Sequence, residues 1–143
     1  SFTATLHRSR QAEATNLLLG ALHYARGAAV MGRQTVSLCA GHTQCERHRI
    51  WQQNLLVFGD SNNNGLLDQG ETLLRQIPTP AGSTWMWSNF RNLHYLQFEG
   101  DGTPRALNGT LTLCQESQPT LQIKINVTGR ARTQSPAKDA SCG

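Results

Sequence analysis

The hydrophobic period of this chain changes once, just after Gly32, and that change sets the fold class. Before it, Ala14, Leu17, Leu18, Ala21, Leu22, Ala25, Ala28 and Ala29 recur at three- and four-residue steps, one apolar stripe on a helix over about residues 2–32. Most of that stripe is alanine, so the helix can approach a sheet closely. Gly20 and Gly27 each cost about 1 kcal/mol relative to alanine, so packing rather than propensity must hold the helix. Gly32 is placed to cap its C-terminus. Beyond it the period is two, which predicts an α+β fold: one N-terminal helix packed on antiparallel β-sheet over about residues 35–128.

The pattern places strands at 35–39, 51–58, 72–77, 85–87, 95–98, 105–107, 110–114 and 121–127. Asn108-Gly109 is the hairpin-turn signal between the sixth and seventh of them. Residues 129–143 read as a polar C-terminal loop. No repeat and no linker interrupts the sequence, so residues 1–143 are expected to form a single domain. The chain opens directly in helical register, as if cut inside a helix. It contains no apolar run long enough to span a membrane.

Four cysteines, Cys39, Cys45, Cys114 and Cys142, suit an oxidising compartment. Three pairings are open. The favoured set joins Cys39 to Cys45 across a short loop, and Cys114 to Cys142, which pins the tail. Cys39, His42, Cys45 and His48 recur at every third position, but structural zinc draws its ligands from two separated knuckles rather than one ten-residue segment.

Asp60, Asn62, Asn64, Asp68 and Glu71, with Gly65 at the sixth place, satisfy the spacing of a calcium loop, in which oxygen ligands surround the ion and the glycine permits the turn. Strands rather than helices flank the segment, and two of the ligands are neutral. The competing reading is an asparagine-rich turn capped by its own side chains. Apart from this candidate calcium ion no cofactor is implied. No nucleophile elbow, triad spacing or phosphate-binding glycine loop is present, and the chain is read as a non-enzyme. Trp51 is assigned to the core; Trp85 and Trp87 share one face of their strand and are buried or exposed together.

The formal charge of +4 matters less than its placement. From residue 117 onward Lys124, Arg130, Arg132 and Lys138 face Asp139 alone. In an extended Gly129-Arg130-Ala131-Arg132, the two arginines point the same way about 6–7 Å apart, a separation suited to successive phosphates.

The order of Tyr24-Ala25-Arg26-Gly27-Ala28-Ala29-Val30, Val36-Ser37-Leu38-Cys39, Cys45, Trp51, Val57-Phe58, the 60–71 segment, Leu73-Leu74-Arg75, Leu111-Thr112-Leu113-Cys114 and Ile125-Asn126-Val127-Thr128-Gly129-Arg130 resembles the GspH/FimT family. Its members are minor pilins and pseudopilins of type IV pili and type II secretion systems. The resemblance implies a pilin-like fold, an apolar N-terminal segment anchoring the subunit in the inner membrane, and a periplasmic globular part later exposed on a pilus fibre. It implies other minor and major pilins as partners. The FimT branch resembles the chain best, because a G-R-x-R motif is associated there with DNA binding in natural transformation. On that basis Gly129, Arg130, Arg132, Lys138 and Lys124 are the expected DNA-binding residues. The alternative is a structural subunit that initiates or caps a filament without touching DNA.

Overall fold

The computed structural model describes residues 1–105 and 108–143. Helix α1 (Phe2–Gly32) is followed by nine strands: β1 (Val36–Ala40), β2 (Ile50–Trp51), β3 (Asn54–Gly59), β4 (Leu73–Pro78), β5 (Ser83–Asn89), β6 (Tyr95–Phe98), β7 (Gly109–Gln115), β8 (Gln118–Ile125) and β9 (Ala131–Gln134). They form a four-stranded sheet, order β4-β3-β1-β6, and a five-stranded sheet, order β2-β5-β7-β8-β9, with every pairing antiparallel.

The alanine stripe does what its period requires. Ala14, Leu18, Ala21, Leu22, Ala25 and Ala29 are buried against both sheets, in one apolar cluster with Val36, Leu38, Trp85, Trp87, Leu111, Leu113, Ile123 and Ile125. Leu17 and Ala28 sit at its edge and are only half-buried. Small side chains let the helix axis close on the sheets, and the large residues of the sheets fill the space left. The helix ends one residue later than glycine placement suggests. Arg33, not Gly32, takes the left-handed conformation (φ 50°), and Gln34 N–H reaches back to the Ala29 carbonyl.

Three departures from the periodicity are instructive. The run 51–58 is two strands: Gln53 adopts φ 65°, and the chain leaves the five-stranded sheet as β2 to enter the other as β3. Asn108-Gly109 does not join two hairpin strands. Gly109 opens β7, where a Cβ would overlap the Trp87 ring. Of the expected 105–107 strand, residues 106 and 107 lie outside the described residues. The tight hairpin is instead β7–β8, turning at Glu116 and Ser117, both with positive φ (51° and 63°). That turn geometry usually carries Asn or Gly, so composition gave no sign of it.

Each disulfide ties a strand to chain outside the named strands: Cys39 of β1 to Cys45, six residues on, and Cys114 of β7 to Cys142 in the tail, twenty-eight residues on. No helix among the described residues is long and apolar enough to cross a membrane.

Candidate nucleic-acid interface

The arginine motif lies on a β8–β9 hairpin, because residues 131–134 form an edge strand rather than a loop. Asn126, expected inside a strand, builds the turn. Its Oδ1 accepts from Thr128 N–H (3.0 Å), Thr128 hydroxyl (2.6 Å) and Arg130 N–H (3.1 Å), and its backbone N–H donates to the Arg130 carbonyl (3.0 Å). Gly129 is buried with φ 86°, and its N–H donates to the Asn126 carbonyl; a Cβ there would overlap the Gly102 carbonyl. Of the five expected contact residues, Gly129 is therefore not placed to touch a ligand. It sets the backbone that presents its neighbours.

Arg26 also belongs to this turn, although its place in the sequence gives no sign of it. From α1 it donates Nε to the Gly102 carbonyl (3.0 Å) and Nη2 to the Thr128 carbonyl (3.3 Å), tying the turn to the helix and to the 101–102 loop. These contacts cross 76 and 102 residues of chain, and nothing local marks that arginine out from the others.

Lys124 and Arg132 are direct cross-strand partners, so their side chains leave the same face of the sheet. Arg130 precedes Arg132 by two residues and extends that face beyond the strand. All three are exposed, and none forms an ion pair among the described residues. Two like charges opposite each other repel, which costs stability unless an anion is shared between them. Lys138 stands exposed on the tail, which folds back across the same face. Gln122 Oε1 accepts from Ala137 N–H (3.0 Å) and Gln134 Nε2 (3.1 Å), and Cys142 is bonded to Cys114 of β7. A shallow cleft between tail and sheet is lined by Ser88, Thr110, Lys124 and Asp139.

The 60–71 segment uses its oxygens locally. The buried Asp60 carboxylate accepts from Ser37 hydroxyl (2.8 Å), Gln97 Nε2 (2.7 Å), Gly65 N–H (2.8 Å) and Asn64 N–H (3.2 Å). Glu71 accepts from Ser61 N–H (2.8 Å) and Asp68 N–H (2.9 Å). Asn62 and Asn64 amides donate to Asp68, and these two bonds hold its carboxyl below the usual range. Among the described residues no three of His, Cys, Asp and Glu gather as a metal cluster.

The three tryptophans are buried, with Trp51 Nε1 donating to the His94 carbonyl (3.3 Å) and Trp87 Nε1 to the Tyr95 carbonyl (2.9 Å). They are core, and offer no stacking surface.

The family model for type II transport protein GspH matches residues 14–129. No curated protein matches the chain. Among solved structures, the type IV minor pilin FimU of Pseudomonas aeruginosa is similar in two crystal forms, both 23% identical. One has a TM-score of 0.66 and covers 93% of this chain and 99% of that one; the other has a TM-score of 0.67 and covers 97% and 98%. The minor pseudopilin EPSH of the Vibrio cholerae type II secretion system is similar at 13% identity and a TM-score of 0.54, covering 92% and 94%. At these identities the likeness is one of fold.

Proposed function

The chain belongs to the GspH family of type II transport proteins and folds as minor pilins and pseudopilins do, and from that premise we propose that it is a minor pilin that binds DNA non-specifically through its arginine turn, supporting DNA uptake in natural transformation. The observation that carries this reading is the pairing of Lys124 with Arg132 across β8 and β9, with Arg130 beside them and none of the three in an ion pair among the described residues. A backbone phosphate placed between two facing cations relieves their repulsion and releases counterions, which needs no base-specific group. Lys138 adds a further cation from the tail. The subunit acts beside other pilins, from the inner membrane and periplasm outward to the fibre.

With this few cations the affinity is expected at roughly 10⁻⁴–10⁻⁶ M. Titration of duplex DNA at two salt concentrations tests it. Arg130→Gln with Arg132→Gln should weaken binding to DNA of any sequence and lower the salt slope by about two, with the thermal melt unchanged. Equal binding by the double variant would remove the reading.

A second reading, a structural pilin or pseudopilin that initiates or caps a filament, draws on a different surface. The flank of α1 and the β8–β9 hairpin border an open cleft in which Ala12, Leu19 and Leu121 lie among Arg8, Gln11, Asn16 and Thr133, a mixed surface open to a neighbouring subunit. Leu19→Glu would then disrupt assembly while leaving DNA binding intact.

A further inference from the structure

Phe90 is 86% exposed at the end of β5, and neither the core nor the arginine turn explains it. Trp85 and Trp87 point inward, so Ser88 faces outward, and Phe90 stands just past the strand in the turn that Asn92 N–H closes on the Asn89 carbonyl (3.2 Å). Ser88, Thr110, Lys124 and Arg132 are successive cross-strand partners, one row on the outer face of β5, β7, β8 and β9. Phe90 and Arg130 each stand two residues beyond that row, at the same end of the sheet. Strand spacing puts them about 14 Å apart.

A second group of cations stands at the same end of the sheet, beyond Phe90. Arg91 is exposed beside it. Arg49 is held at the sheet edge, where its carbonyl accepts from Trp87 N–H (2.8 Å) and its Nη1 donates to Asn92 Oδ1 (3.5 Å). Arg47, Arg49, Asn92 and His94 line one open cleft there. Partial burial, and after it the charges of Arg47 and His48, make His94 harder to protonate than a free histidine. Nearby acids are few: Glu46 contacts His48 (3.2 Å), and Asp139 shares the cleft with Lys124.

Extending the DNA-binding reading on which it rests, we propose that this end of the five-stranded sheet is a track for single-stranded DNA, running from Arg130 and Arg132 past Phe90 to Arg91, Arg49 and Arg47. Four strand spacings, about 19 Å, separate its ends. Paired bases are closed to a side chain at a duplex surface, whereas an unpaired base can lay its face on an exposed ring. A phenylalanine between two cationic flanks therefore discriminates between the two forms, and phosphates alone do not. Because stacking needs no hydrogen-bond readout, the track is indifferent to sequence.

Fluorescence anisotropy with a labelled oligothymidine and a duplex of equal length tests this at two salt concentrations. Phe90→Ala should weaken single-strand binding by roughly five- to 150-fold with its salt slope unchanged, and leave duplex binding within about twofold. Arg49→Gln with Arg91→Gln should weaken both and lower the slope by about one to two. Phe90 is exposed, so a melt curve matching wild type is expected of its variant. An equal loss on both DNAs, or no loss on the single strand, overturns the track, as would Phe90→Ala impairing only contact with other pilins. If Arg130→Gln/Arg132→Gln abolishes binding while Phe90→Ala is silent, the track alone fails. Full binding by that double variant removes the arginine assignment, and a wild-type protein that binds neither DNA removes both.

Discussion

At the scale of single residues, the site depends on a glycine that touches no ligand. Gly129 combines a positive φ with a crowded Cβ position, where an added carbon would overlap the Gly102 carbonyl and stand 3.0 Å from Arg26 Nε, so any side chain is refused twice. Gly129→Ala should cost about 2–4 kcal/mol in urea unfolding, from backbone strain together with a forced shift of the 101–102 loop. It should also weaken DNA binding although every cation remains. Binding retained at full strength in a destabilised variant would show that the turn geometry does not matter for the contact. The glycine was legible as part of a motif. Its reason was not, because the carbonyl it avoids belongs to a loop twenty-seven residues earlier in the sequence.

At the scale of elements, the helix was the most readable part of the chain. Recurrence at three- and four-residue steps leaves little room for a competing assignment in this 31-residue helix, and its buried face matches the stripe at Ala14, Leu18, Ala21, Leu22, Ala25 and Ala29. Its end was less readable, since glycine and arginine are adjacent and only the backbone says which one turns left-handed. Arg33→Gly should therefore stabilise the protein by about 0.5–1 kcal/mol, read as a higher denaturation midpoint. An unchanged or lower midpoint would mean that the arginine side chain makes up for its strain. Among the strands, β9 escaped the pattern because an edge strand of Ala, Arg, Thr and Gln buries almost nothing. Period two marks a strand only where one face is apolar. Its pairing with β8 nonetheless decides the site, by setting Arg132 opposite Lys124.

At the scale of the whole molecule, the tail is held to the sheet by a distant disulfide as well as by the Ala137 bond to Gln122. Cys114–Cys142 closes a loop of twenty-eight residues, worth about 3–4 kcal/mol in the chain-entropy model. Cys142→Ser paired with Cys114→Ser should lower stability by that amount and free residues 135–143 to hydrogen exchange, while the shorter Cys39–Cys45 loop keeps β1 tied to its neighbour. Tail amides that stay protected would show that the bonds to Gln122 suffice. The sequence by itself determined the fold class, the helix and its buried face, and the cations available for binding, since each rests on local periodicity or composition. Which cations share a face, that Asp60 turns inward to Ser37 and Gln97, and that Arg26 braces the arginine turn were decided only by the tertiary structure. The physical reason is range. Those contacts join residues that the sheet registers and the helix packing bring together, and no pattern confined to a short window of sequence carries that information.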